Sequence, residues 1–238
     1  MKLEGKNILV VGGSSGIGLA IVKQLHEEKA NIYVISRSQS EEWPANVQFC
    51  KADVTESIET IDTFLPEQLH GLVYSVGSIT LKPFGRLTDE DFKNDFNLNV
   101  LGAARIIRKA LKPLKDAAGS SVVLISSVAA KTGLPYHASI AASKAAVEGM
   151  ALTLAAELAF QQIRVNVVAP SLTDTPLAKN LLSSPERREA SAKRHPLGKI
   201  GQPEDISQLI SFLLSDDSGW LTGQVIGVDG GLGSLRTS

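Results

Sequence analysis

The stretch Asn7-Ile8-Leu9-Val10-Val11-Gly12-Gly13-Ser14-Ser15-Gly16-Ile17-Gly18 decides the fold. Its first five residues form an apolar, β-branched run of strand length. From Ile17 to Glu28, the residues Ile17, Ala20, Ile21, Gln24 and Leu25 fall along one helical stripe. Between strand and helix lies a glycine turn. Glycines let the backbone turn sharply and approach a ligand. The free N–H groups and positive dipole end of the following helix can then hold a pyrophosphate. A glycine turn in this setting marks Gly12, Ser14, Ser15, Gly16, Ile17 and Gly18 as cofactor-binding candidates, the alternative being a tight turn without a ligand.

Outward from this unit the rhythm repeats. Asn31 to Ser36, Val47 to Lys51, Leu72 to Ser75, Val122 to Ser126, Val165 to Ala169 and Val225 to Val228 read as further strands. They are apolar throughout rather than alternating, as in a parallel sheet covered on both faces. The expected class is α/β: a Rossmann-type doubly wound parallel sheet of about seven strands with helices on both faces. No linker, repeat or low-complexity tract interrupts the pattern, so residues 1–238 are read as one domain.

Composition narrows the function. With 43% apolar and 21% charged residues the chain is an ordinary globular one. The 24 basic and 25 acidic side chains leave a net charge of −1, giving no general attraction to nucleic acid or anionic lipid. Cys50 is the single cysteine, which excludes an intrachain disulfide and a multi-cysteine metal centre. His26, His70, His137 and His195 show no metal-ligand spacing, so no metal is expected. With no membrane span and no signal peptide in view, the expected location is the cytoplasm.

The end of the second strand should meet an adenine ribose. An acidic residue there would accept from the 2′-hydroxyl of NAD and repel a 2′-phosphate. This chain has Ser36-Arg37-Ser38 instead. Arg37 can pair with a phosphate and the serines can supply neutral donors, so NADP is favoured over NAD. The alternative is a solvated arginine opening a loop.

Gly12/Gly16/Gly18 is followed by Asp53-Val54-Thr55, Asn99, Ser126-Ser127, Ser143-Lys144 and Thr222-Gly223…Asp229-Gly230-Gly231. This succession resembles the short-chain dehydrogenase/reductase family along nearly the whole chain. The resemblance implies a nicotinamide cofactor, a small-molecule substrate and a homotetramer or homodimer. It sets Asp53 and Val54 beside adenine, with Pro170, Leu172 and Thr175 at the nicotinamide end. Ser75, Val76 and Gly77 would line or approach the cofactor. Family catalysis uses an Asn, a Ser and a Tyr-x-x-x-Lys pair. The tyrosine protonates the forming alkoxide, its pKa lowered by a lysine that also binds the nicotinamide ribose.

Asn99, Ser127 and Lys144 match that set, but Ile140 stands where the tyrosine belongs. Isoleucine has no proton to give. Val11, Tyr74-Ser75-Val76-Gly77 and Ser171 depart from the family pattern as well. His137 would share a face with Ile140 and Lys144 if the helix already began there, and its imidazole could act as the general acid. Tyr136 is a second substitute. Both could equally cap or pack the helix entrance.

The segment at about 172–200 is where the family carries a lid over the substrate. The helix Ile140 to Phe160 is rich in small residues, which suits either a helix-pair interface or close packing on the sheet. The expected function is an NADP(H)-dependent oxidoreductase acting on a small carbonyl, alcohol or imine. Reduction of an already protonated iminium would need no acid. The alternative is a catalytically impaired nicotinamide-nucleotide-binding protein serving as a redox sensor or scaffold.

Overall fold

Strands that are apolar on both faces must be buried between two layers, and the chain supplies both. The computed structural model describes residues 2–56 and 58–236. Among them, β1 (Asn7–Val11), β2 (Asn31–Ser36), β3 (Gln48–Lys51), β4 (Gly71–Tyr74), β5 (Ser121–Ile125), β6 (Arg164–Pro170) and β7 (Val225–Val228) form one sheet. Its order is β3-β2-β1-β4-β5-β6-β7. Every neighbouring pair is parallel, as expected.

The helices are α1 (Gly16–Glu27), α2 (Asp89–Phe96), α3 (Gly102–Asp116), α4 (Ala138–Leu158), α5 (Pro185–Lys193) and α6 (Pro203–Leu214). Alternation along each strand divides the core. Leu9 and Val11 of β1 pack with Ile106 and Leu114 of α3 and Val147 and Leu158 of α4. Ile8 and Val10 face the opposite way, onto Ile21 and Leu25 of α1 and Ile206 and Ile210 of α6.

After β1 the chain builds outward through β2 and β3, then returns to the other side of β1 with β4. The crossovers leave on opposite faces at this point, so a crevice opens beyond the carboxyl ends of β1 and β4. α2 runs through a π-helical turn, Asn97–Leu101, into α3. Asn99 sits in that turn, where wider winding re-aims its side chain.

Element boundaries differ from expectation where the end residues are small or polar. β4 begins at Gly71 and β5 at Ser121, whose hydroxyl donates to the Leu213 carbonyl at 2.7 Å and is thereby satisfied in the core. α4 begins at Ala138, two residues before its apolar pattern. Its α-helical winding stops at Leu158 and passes into the 3-10 turn Ala159–Gln161. His137 is therefore the residue before the helix, with φ −102° and ψ 9°, and the condition for its sharing a face with Ile140 and Lys144 is not met.

The glycine turn depends on backbone contact. A Cβ on Gly18 would collide with the Gly12 carbonyl oxygen, whereas Gly85 has open space around it. Gly18→Ala is expected to destabilise by about 1–3 kcal/mol, because a backbone oxygen cannot yield as a side chain does. Gly85→Ala should change stability by less than about 0.5 kcal/mol. Urea unfolding of the two variants checks this; equal midpoints would refute it.

Candidate active site

A cleft of about 960 Å³ runs along the carboxyl edge of the sheet. That is the upper end of the range for small-molecule sites, roughly 300–1,000 Å³. Its floor at one end is the glycine turn, with Gly12 and Gly16 in the left-handed region at φ 86° and 53°. Gly12 is pressed against the β4 loop: a Cβ there would lie 2.9 Å from Val76 Cγ2 and 3.1 Å from the Ser75 carbonyl carbon. The Ser15 side chain does not cap α1, which leaves the first amides of the helix open. Gly12, Ser14, Ser15, Gly16, Ile17 and Gly18 all line the cleft at this end.

Beyond the turn lie Ser36, Arg37, Ser38, Asp53 and Val54. Arg37 and Ser38 are exposed and free to meet a ligand. Ser36 is not the free donor expected from the sequence: it is buried and its hydroxyl already donates to the Ser38 carbonyl at 2.7 Å. Asp53 accepts from the Thr55 hydroxyl at 2.7 Å and the Thr55 amide at 2.9 Å. These bonds, with Arg37 assisting, hold its carboxyl below the usual carboxylate range.

Toward the middle the wall is formed by Ser75, Val76 and Gly77 on one side and Pro170, Leu172 and Thr175 on the other. Ser127, two residues past β5, is extended and caps the 3-10 turn Val128–Ala130, its hydroxyl accepting from the Ala129 amide at 3.2 Å. Lys144 projects from α4, is buried, and donates from Nζ to the Ile125 carbonyl at 2.9 Å. Burial lowers its pKa to about 8, with Asp95 opposing the shift. Asn99 lies just behind the lining. A Cβ on Gly77 would be 3.3 Å from Lys144 Nζ and 3.4 Å from Asn99 Oδ1, so glycine is what lets these two polar atoms approach the cleft. Asn99 Nδ2 donates to the Asp95 carbonyl and Ser78 Oγ, while its buried Oδ1 has no donor among the described residues.

Ile140 is buried and lines the cleft as an apolar wall. Two of the three phenols lie elsewhere. Tyr33 packs edge-on against Phe64. Tyr74 donates to the Leu98 carbonyl at 2.6 Å inside the core, and burial pushes its phenol pKa up. Tyr136 reaches the cleft rim, 61% exposed, on a backbone with φ 69° that a bulky residue seldom adopts. His137 also lines the rim, but its Nδ1 is 2.6 Å from the Pro135 carbonyl, leaving only Nε2 for a ligand.

Two groupings escaped the sequence reading. Asp95 is buried between the cleft and α4; its Oδ1 accepts from Ser78 and Thr80 at 2.7 and 2.9 Å, and its Oδ2 from Ser139 at 2.6 Å. One available signal was a carboxylate four residues before Asn99, on the same helical face. The other grouping is Ser171 with His195, hydrogen-bonded at 2.8 Å within the cleft. A separation of 24 residues gave no cue to it.

Comparison with known proteins matches residues 11–233 to a family described as enoyl-(acyl carrier protein) reductase. The chain is 36% identical over 247 residues to the 3-oxoacyl-[acyl-carrier-protein] reductase of Thermotoga maritima, covering 98% of this chain and 99% of that one. A short-chain dehydrogenase family protein of Francisella tularensis superposes with a TM-score of 0.91 at 32% identity, covering 97% of this chain and 100% of that one. ElxO with NADP bound superposes with a TM-score of 0.88 at 28% identity, covering the same shares of the two chains. A tyrosine-to-phenylalanine variant of ElxO is also known with NADPH bound.

Asp95→Ala would strand the hydroxyls of Ser78, Thr80 and Ser139. The expected loss is about 2–5 kcal/mol of stability, read from the urea midpoint. A loss under about 1 kcal/mol would show that this network does not brace the cleft.

Proposed function

Because the chain belongs to the short-chain dehydrogenase/reductase family, we propose that it is an NADP(H)-linked oxidoreductase acting on a small carbonyl, alcohol or imine. The observation that carries this reading is that the open amino end of α1, the Arg37 guanidinium and the Lys144 amine all line one cleft. The residues present fit a phosphorylated dinucleotide. Backbone amides at a helix start suit a pyrophosphate, and a free guanidinium suits a further phosphate. In its ammonium form the buried Lys144 side chain has two hydrogens left for ribose hydroxyls after its bond to Ile125. ElxO supports the reading by likeness, since it is known with NADP bound.

In this reading Gly12 and Ser14 to Gly18 hold the pyrophosphate, and Ser36 to Ser38 with Asp53 and Val54 border the adenosine. Ser75 to Gly77, Pro170, Leu172 and Thr175 flank the nicotinamide end. When bound, NADPH supplies the hydride. Ser127 orients and polarises the substrate oxygen, for its hydroxyl hydrogen remains free while its oxygen accepts from Ala129. Lys144 fixes the ribose and lends positive charge to the oxygen that becomes negative. Asn99 presents Oδ1 beside that amine and holds a proton-bearing group there. His137 remains a proton-transfer candidate through Nε2 alone. The segment 172–200 covers the substrate and is braced internally by Arg188, whose guanidinium donates to both Asp174 oxygens at 2.7 and 3.0 Å.

Ile140 supports a second reading, a redox sensor or scaffold that binds the nucleotide without turnover, because the apolar wall beside Lys144 offers no acid. NADPH oxidation against ketone, enone and iminium panels separates the two. Turnover on any panel supports the enzyme, and tight binding with none supports the sensor. The wider proposal is a cytoplasmic homodimer or homotetramer. The exposed Leu152 and Phe160, at the small-residue helix α4 and just beyond it, are consistent with an interface. Among the described residues no helix is long and apolar enough to cross a membrane.

Arg37→Asp is expected to weaken NADPH about tenfold or more while affecting NADH less, as read by fluorescence titration. Parallel losses for both nucleotides would remove Arg37 from 2′-phosphate recognition. Affinity should also depend on pH. The Lys144 amine is protonated below about 8 and neutral above it. Bound nucleotide favours the ammonium, so affinity falls as pH rises through that value, and Lys144→Met should flatten the profile. A slope that persists in Lys144→Met would assign it to another group.

A further inference from the structure

Half-buried Ser171 and buried His195 are hydrogen-bonded at 2.8 Å in the cleft that Ile140 also lines. Ser171 follows Pro170 at the carboxyl end of β6. On the neighbouring parallel strand, Ile125 lies opposite Val168, and the Ser126 amide donates to the Val168 carbonyl at 2.8 Å. The pairing of the two strands ends there, and Ser127 and Ser171 each follow the carboxyl end of one of these neighbouring strands. Both Ser171 and His195 line the same cleft as Ser127 and Lys144.

The imidazole is held from both sides. His195 is 4% exposed, and its Nδ1 lies 2.9 Å from the Ser191 carbonyl on α5. A carbonyl only accepts, so Nδ1 carries a hydrogen. In the neutral ring Nε2 is then the acceptor, and Ser171 Oγ, 2.8 Å away, donates to it. If Nε2 is protonated, the same contact reverses. Nε2–H donates to Oγ, and the serine hydrogen is released toward the cleft. Each charge state satisfies both ring nitrogens without any movement of the ring. His137 has one ring nitrogen tied to a carbonyl in the same way but, among the described residues, no hydroxyl bonded to the other.

We propose that Ser171 and His195 are the proton route for carbonyl reduction, a role that rests on the reductase reading above. As the substrate carbon gains hydride, its oxygen gains a negative charge. The Ser171 O–H bond breaks and a new O–H bond forms on that oxygen. Oγ recovers a proton from Nε2–H of the imidazolium, which ends as neutral imidazole with Nδ1–H still on Ser191. Solvent restores the second proton. Ser171 is the residue that touches substrate, and His195 acts through it.

The test compares a ketone, which must be protonated, with an N-alkylated cyclic iminium, which needs hydride alone. Ser171→Ala and His195→Asn are assayed with both, NADPH binding being followed by fluorescence to show that each variant is folded. The asparagine amide can still donate to Ser191 but has no second ring nitrogen to protonate. Both variants should lower the ketone-to-iminium ratio of kcat by about tenfold or more, general acids contributing roughly 10²–10⁴ in rate. Unchanged ratios would overturn the pair while leaving the reductase reading intact. So would a fall seen in His137→Ala or Tyr136→Phe and absent from the pair variants. A parent that reduces the iminium but no ketone also overturns the pair alone. A parent that binds NADPH and reduces neither overturns the reductase reading and the proton route with it.

Discussion

The contact between Gly18 and the Gly12 carbonyl governs how this molecule works. With no side chain between them, α1 starts almost at the tip of β1. Its unsatisfied amides therefore face the crevice where strand order reverses rather than a solvated loop. The close approach of Gly12 to the β4 loop completes the same corner. Recognition of phosphate, in the proposed function, is thus mostly backbone geometry, supplemented by one exposed guanidinium.

At the other end of the cleft, side-chain burial takes over. Lys144 is buried with one hydrogen bond, to the Ile125 carbonyl, and this burial makes its ammonium costly and responsive to any neighbouring charge. Asp95 lies near enough to favour the charged amine, and it is itself satisfied by Ser78, Thr80 and Ser139. Ser139 immediately precedes Ile140. Ile140 is therefore bordered by a network that acts on the lysine from behind, while the Ser171 hydroxyl and the His195 imidazole line the same cleft from the end of β6 and the segment after α5. Polar function around this position is distributed over several elements rather than carried by one phenol.

Much of the fold was legible because it rests on local patterns. Short apolar runs between turn signals marked every strand. Boundaries slipped by one or two residues at several ends, as where Gly71, Ser121 and Ala138 carry an element past its apolar stretch, or where β3 starts at Gln48 rather than Val47 and β6 runs from Arg164 to Pro170. Gly12 to Gly18, Arg37, Ser127 and Lys144 could be placed on one cleft edge from their positions at strand ends and on α4. His137 was less legible, for its usefulness turned on whether one helical turn began a residue earlier. The Pro135 carbonyl and the cap conformation decided that.

The sequence by itself determined the parallel sheet, the glycine turn, the family and the absence of a hydroxyl at position 140, because each is written in contiguous residues or in spacing along one element. Only the tertiary structure decided which distant polar groups meet. Asp95 finds Ser78, Thr80 and Ser139 across three segments, and His195 finds Ser171 when the chain after α5 folds back over the end of β6. Such pairings depend on how elements pack, and a hydroxyl or an imidazole has no periodicity that announces its partner in advance.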